Sequence, residues 1–536
     1  MSLTALDNTP GTVESVIKDV NYVDDPLGAY HCLKTNNSVL LESAEIDSKD
    51  SLQSLILLDA AVRIECNDQT VQVQALSKNG QAALNLLEQA LPEQLKSKSD
   101  SLYVFEFEKP PKNIDEDTRL KMLGVLDVLR TIRENVTSLR DHPHSVFLAG
   151  VFGYDLVACY ESLPPVPVKD NCCPDYVFYL AESLVLIDHQ LKSTQILGSV
   201  FSGPHLSEEY FRVHQRIEHI AEQLQTVNFA IDSTNTHSIH TAVDKTDSEF
   251  CSIVDDLKEN ILDGDIFQVV PSRTFSMKCD NALLAYQRLK QTNPSPYMFY
   301  IVDRDFEIFG ASPESALKYS QASNIVEIYP IAGTRPRGKL EDGSIDHDLD
   351  SRLELDLRLD KKEQAEHIML VDLARNDVAR VTTPGTRFVK DLLKVDRYSH
   401  VMHLVSRVIG QLKPDLDALH AYQACMNMGT LVGAPKLSAA SLIRQVEKKK
   451  RGSYGGAVGY LNGKGDFDTC IVIRSAFVKD DIAYIQAGAG IVRDSLPQSE
   501  ADETRAKAQA VITAISTASE SVQLAQPSED GGFECE

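Results

Sequence analysis

The stretch GAGIVRDSLPQSEADETR, residues 488–505, sets two opposite demands side by side. Gly488, Ala489 and Gly490 read as a small turn whose amide N–H groups can receive an anion. A few residues on, Glu500, Asp502 and Glu503 crowd the start of a helix opened by Ser495 and Pro497. Glu500 and Glu503 share one face at i, i+3. Carboxylates in a first turn offset the helix dipole by ~0.3–1 kcal/mol each and need no further role. A divalent cation lying between those acids and an anionic substrate would satisfy both demands.

A second helix supplies the missing acids. KKEQAEHIMLVDLARNDV, residues 361–378, puts Glu363 and Glu366 on one face just ahead of an apolar run that must be core. Lys362, the nearest cation, is adjacent and not i+4. Oxygen ligands without Cys or His pairs favour a hard ion, Mg²⁺ or Mn²⁺, which takes one or two carboxylates and completes its shell with water and substrate oxygens.

Other segments welcome an anion. PIAGTRPRG, residues 330–338, follows a strand with Gly333, Thr334, Arg335 and Arg337, offering amides, a hydroxyl and two forked guanidinium groups. CIVIRSA, residues 470–476, sets Arg474 inside an apolar strand, where an unpaired charge costs several kcal/mol; a buried structural ion pair is the competing reading. RGSYGGAVGY, residues 451–460, surrounds Tyr454 with glycines, and HVMHLVSRVIG, residues 400–410, presents His400 and His403 on an apolar segment. A lone core histidine is more often a hydrogen-bonded structural group. There is no G-x-x-x-x-G-K-[ST], G-x-S-x-G or H-E-x-x-H.

Composition narrows the class. The 536 residues exceed what one core usually supports. A net charge of −25 leaves no basic stripe for nucleic acid. The N-terminus lacks a secretory pattern and no apolar run approaches the ~20 residues that span a bilayer, so a cytoplasmic protein with ten reduced, scattered cysteines is expected. There are 18 Tyr and 18 Phe but no Trp. Strand-like runs alternate with helices, including one read over residues 115–136. Residues 233–249 read as a linker. The expected architecture is α+β, packed β-sheets flanked by external helices, with an N-terminal domain at 1–235, a catalytic domain at 236–518 and a disordered tail at 519–536.

Taken together, PIAGTRPRG, DLARNDVARV, MGTLVGAPK, YGGAVGY and GAGIVRDSLPQSEADETR resemble the chorismate-binding enzymes, on their anthranilate-forming branch. LLES at 40–43 and NPSPYMFY at 293–300 extend the resemblance into the N-terminal domain. It implies that Glu366 and Glu503 hold Mg²⁺ with Glu500 close by, gripping the ring carboxylate of chorismate. It also implies that Gly333, Thr334, Tyr454, Arg474 and Gly488–Ala489–Gly490 bind the rest of the substrate. Glu314 in SPES, His403 and Thr430 would act on the leaving hydroxyl and the later elimination. Isochorismate synthases carry a water-activating lysine where GDIFQVV has Gln268, and aminodeoxychorismate synthases often carry an attacking lysine where this chain has Ala332. Both differences favour ammonia as nucleophile and anthranilate as product.

No cysteine sits in the G-x-C-x-G turn of a glutaminase. The resemblance therefore implies a separate glutamine amidotransferase subunit, in a heterotetramer, delivering ammonia for the first step of tryptophan synthesis. It further implies a tryptophan feedback site at Ser43, Pro296, Tyr297 and Met298, near Asn293. The absence of Trp suits an enzyme needed when tryptophan is scarce. Aminodeoxychorismate synthesis and a non-catalytic tryptophan sensor are the competing readings.

Overall fold

The strand Tyr297–Val302 shows how the layers arise. Successive side chains of a strand point to opposite faces: Tyr300 packs in a core that also holds Leu284, Tyr286 and Leu289 of the helix Ala282–Thr292. Its neighbours Phe299 and Ile301 pack in another core with Leu57, Tyr179 and Phe477, to which strands and their connections contribute but no helix does. Both faces are buried, so the strand reads as continuously apolar.

The computed structural model describes residues 11–43, 52–111, 113–203, 205–225, 240–340, 342–398 and 401–518. Its strands form a branched antiparallel system around the long pair Gln53–Asn67 and Tyr176–Asp188. One arm runs through Ser38–Glu42, Tyr297–Val302, Glu307–Ser312, Ser475–Lys479, Ile482–Gly488 and Ser272–Lys278. The other runs through Phe147–Phe152, Ala457–Asn462, Phe467–Ile471, Ser315–Ser320, Ile325–Ile328 and Val401–Gln411, which also pairs with Ile331–Pro336 and Phe388–Arg397. The core without helices lies between the arms, and helices cover their outer faces. This is the expected α+β architecture of packed sheets with external helices. Two ladders, Ser38–Glu42 with Tyr297–Val302 and Phe147–Phe152 with Ala457–Asn462, join the first 225 residues to the rest.

Two local expectations differ. The helix read over 115–136 is two helices, Glu116–Leu120 and Asp127–Asn135. Gly124 breaks it: its N–H is capped by Asp127 at 2.6 Å, and a Cβ there would press on the Tyr160 ring at 3.1 Å. Part of the expected linker is ordered, with the strand Ala242–Val243 and the helix Asp247–Leu262, which opens on a Thr246/Glu249 capping box. The remainder of that linker, the tail at 519–536 and His400 lie outside the described residues. The nine described cysteines are all free.

Candidate active site

The helix Lys361–Val381 starts where the Asp360 side chain accepts from the Lys362 and Glu363 amides at 2.9 and 3.2 Å. That start sets Glu363 and Glu366 on the face turned to the strand Ile331–Pro336. The helix Pro497–Ala518 brings Glu500 and Glu503 in from the other side. One cavity of about 530 Å³ results, within the usual range for small-molecule sites. Glu314, Gly333, Thr334, Glu366, His403, Thr430, Tyr454, Arg474, Gly488, Gly490, Glu500 and Glu503 all line it. Ala489 does not: its methyl packs in the core with Val269 and Ile491, and its N–H donates to the Pro271 carbonyl at 3.2 Å.

The carboxylates crowd one another. Burial, then the charges of Glu363 and Glu503, push the Glu366 carboxyl up; burial and Glu503 do the same to Glu500. Gln268 Nε2 donates to Glu366 Oε1 at 3.2 Å, and Glu503 pairs with Lys507 at 2.6 Å. No three His, Cys, Asp or Glu side chains among the described residues form a ready-made metal cage. An all-carboxylate wall with excess negative charge fits a hard cation that draws its remaining ligands from water and substrate.

Two proton-handling groups line the same cavity in contrasting environments. Glu314 is buried, and desolvation pushes its carboxyl up to about 8, against the Thr430 hydroxyl, which donates to Glu314 Oε1 at 3.0 Å. His403, on the strand Val401–Gln411, is pushed down to about 4 by burial. Its Nδ1 lies 2.9 Å from Thr334 Oγ1 and 3.3 Å from the Gly333 carbonyl. A carbonyl can only accept, so we assign the proton to Nδ1 and the lone pair to Nε2. At neutral pH the cavity thus holds a protonated acid and a neutral imidazole.

Arg474 is not inside a strand. It sits between Phe467–Ile471 and Ser475–Lys479 with φ +51°, a left-handed backbone that ends one strand and re-aims the side chain. Burial pushes its guanidinium down, Nη1 donates to the Lys507 carbonyl at 2.9 Å, and among the described residues it makes no ion pair. That leaves a cation facing the cavity without a carboxylate of its own. Arg335 and Arg337 are the reverse. Arg335 is held by Asp356, Asp360 and Glu363, and Arg337 by Asp350, so neither fork is open to an anion. Gly333 itself lies in a bulge of the strand at φ +80°, where a Cβ would stand 3.1 Å from Glu363 Oε2.

Gly488–Gly490 is likewise no turn. Gly488 ends the strand Ile482–Gly488. The glycines serve close approach: a Cβ at 488 would meet the Pro271 carbonyl at 2.7 Å and the Tyr454 hydroxyl at 3.1 Å, and one at 490 would meet Gln268 Nε2 at 2.9 Å. Tyr454 is buried, and Arg451 lies over its ring at 5.5 Å while pairing with Glu447. Lys507 is a further residue of the site that sequence reasoning misses: its Nζ donates to the Gly488 carbonyl at 3.0 Å and pairs with Glu503. Its i+4 spacing from Glu503 is the signal that marks it.

These features define a cavity with an acidic wall and a buried arginine, the setting of an enzyme site able to take a small carboxylated substrate. Residues 86–513 match the family model described as chorismate binding enzyme, and the chain belongs to that family. Its relatives place it on the anthranilate synthase component 1 branch. Anthranilate synthase component 1 of Vibrio cholerae is 56% identical over 508 residues, covering 94% of this chain and 96% of its own. That of Escherichia coli is 53% identical over 510 residues, covering 95% and 98%. Among solved structures, anthranilate synthase component I of Streptococcus pneumoniae superposes with a TM-score of 0.66 at 28% identity, covering 92% of this chain and 99% of that one. A menaquinone-specific isochorismate synthase of Escherichia coli shares the fold, with a TM-score of 0.64 at 17% identity over 96% and 97% of the two chains. No helix among the described residues is long and apolar enough to cross a membrane.

Proposed function

We propose that this chain converts chorismate and ammonia into anthranilate, pyruvate and water, with Glu366 and Glu503 holding Mg²⁺ and Glu500 beside them. One observation carries the reading: a single cavity lined by Glu366, Glu500 and Glu503 also holds Glu314, which burial keeps protonated, and His403, which burial keeps neutral. When bound, Mg²⁺ supplies Lewis-acid polarisation of the ring carboxylate. Arg474, Tyr454 and the backbone at Gly488 and Gly490 receive the enolpyruvyl carboxylate, anchoring the end of the substrate that later departs.

Glu314 gives its proton to the C4 hydroxyl, which leaves as water while ammonia forms a bond to C2. Thr430 holds the acid in place. His403 Nε2 then takes the C2 proton, the C3–O bond breaks and the ring becomes aromatic; the proton shed by the new C2 ammonium matches the one the released enolpyruvate gains to become pyruvate, and the proton on His403 returns through solvent to Glu314. Gln268 faces this cavity as a neutral amide and cannot deprotonate water, and Ala332 cannot attack the ring. Among the described residues no cysteine lines the cavity, and none in the sequence sits in a G-x-C-x-G turn, which supports a separate glutamine amidotransferase subunit, in a heterotetramer, as the ammonia source. The isolated chain with Mg²⁺, chorismate and an ammonium salt is expected to release fluorescent anthranilate and equimolar pyruvate. An aminated product without pyruvate would assign it to aminodeoxychorismate synthesis instead.

The same proposal includes feedback by tryptophan. Ser43, Pro296, Tyr297 and Met298 line a second cavity of about 210 Å³ together with Tyr398, Tyr460, Asp396 and Asp468. Aromatic faces beside carboxylates suit an amino acid with an aromatic side chain. Ser43→Phe is expected to fill this cavity, so tryptophan no longer lowers the rate while anthranilate formation persists. Inhibition at the original tryptophan concentration would remove Ser43 from the site.

A further inference from the structure

The two cavities meet along one short wall. Pro313 and Ile331 line both. The rest of the wall is the end of the strand Phe388–Arg397 and the residue that follows it. Asp396 lines the second cavity and lies opposite His403 in the ladder. Tyr398 also lines that cavity, and its ring packs edge-on against the His403 imidazole, with centroids 5.3 Å apart and planes at 62°. The Tyr398 backbone is pinned on both sides. Its N–H donates to the Val401 carbonyl at 2.8 Å, and its own carbonyl accepts from Arg337 Nη1 at 2.6 Å. Arg337 is in turn forked onto Asp350 at 2.8 and 3.0 Å.

His403 needs such a neighbour. Among the described residues both of its polar contacts fall on Nδ1, which fixes one corner of the ring but not its plane. The terminal torsion of histidine is broad and not confined to three wells. A ring packed on the imidazole supplies the missing constraint and decides where Nε2 points. The backbone of Tyr398 is held while its side chain borders open space, so the ring is the part able to move. A ligand can inhibit only by preferring one state over another.

We propose that Tyr398 is a positioning residue through which occupancy of the second cavity acts on His403: the ring orients the imidazole when the cavity is empty and is displaced from it when the cavity is filled. This rests on the reading of the second cavity as the tryptophan site. The edge-on contact is thereby both a support for the proton acceptor and the link between inhibitor and chemistry.

The chain has no Trp, so the emission of tryptophan itself reports its binding to the protein, separately from any rate. The test uses the full chain with ammonium as nitrogen source, as Tyr398→Leu and Tyr398→Phe. In Tyr398→Leu, kcat is expected to fall on the order of tenfold at unchanged chorismate KM, the pattern of a group that matters in the transition state. That variant still binds tryptophan, but saturating tryptophan lowers its rate no further. Tyr398→Phe, which keeps the ring, restores both kcat and inhibition. Tyr398→Leu inhibited as strongly as the unmodified chain overturns the proposal, as does loss of tryptophan binding at full kcat.

Should the leucine variant fail to fold, the unmodified protein decides. The His403 ring-proton resonance, assigned by its loss in His403→Asn, is expected to move when tryptophan is added, because the Tyr398 ring current is withdrawn. An unmoved resonance in tryptophan-bound protein overturns the proposal. Absence of tryptophan binding to the unmodified chain overturns both the reading of the cavity and the proposal, and the binding titration shows which has failed.

Discussion

Glu314→Gln is expected to lower kcat by about 10²–10⁴-fold, the usual contribution of a placed general acid, with little change in chorismate KM. The C4 hydroxyl is a poor leaving group, and Glu314 is the carboxyl that burial keeps protonated at neutral pH. The sign of the pH dependence follows from that role. The acid must carry its proton, so activity falls as pH rises through about 8, and the glutamine variant lacks this alkaline limb. Thr430→Val removes the hydrogen bond that favours the ionised form, so the alkaline limb should move to higher pH. On the acid side, His403 loses its lone pair as pH falls through about 4, which leaves a broad working window between the two groups. A Glu314→Gln enzyme within a few-fold of the original kcat would show that the hydroxyl is protonated by another group.

Glu366→Gln is expected to abolish turnover at ordinary Mg²⁺ concentrations. The glutamine keeps the shape and the contact with Gln268 but removes a charge from the wall proposed to offset a cation. Loss of a direct ligand should weaken Mg²⁺ by more than the ~10–100-fold that loss of an outer-shell partner typically costs. Calorimetric titration of Mg²⁺ into the protein with chorismate present measures this without reference to rate. The apo variant should be no less stable, because Glu366 is pushed up first by burial and then by neighbouring charge, both of which the neutral amide relieves. Unaltered Mg²⁺ affinity in the variant would place the ion elsewhere.

The layered architecture and the helices that carry the acids were legible because they rest on periodicity and capping, which are local. Glu366 and Glu503 announce themselves as carboxylates entering apolar helices, and the cavity brings them together across more than a hundred residues of chain. What was misread depended on partners far along the chain. Arg335 and Arg337 looked free because Asp350, Asp356 and Asp360 arrive on and just after a helix read only in the structure. Arg474 looked like a strand residue because an apolar run hides a single residue of left-handed backbone. Gly488 and Gly490 suggested a turn because glycine marks both turns and close contacts, and here the contacts with Pro271, Tyr454 and Gln268 decide.

The ladders that join the two halves also set a schedule for synthesis. Leu40 pairs with Tyr300, and Gly150 with Gly459, so two strand edges made early wait for partners made late. At the ~5–20 residues per second of translation, the second of these edges stays open for on the order of tens of seconds while the ribosome works. A nascent chain with bare edges and half a core is a substrate for chaperones and a seed for aggregation. Expression of the first 225 residues alone should therefore yield insoluble material, and yield of the whole protein should depend on chaperone supply more than its final stability suggests.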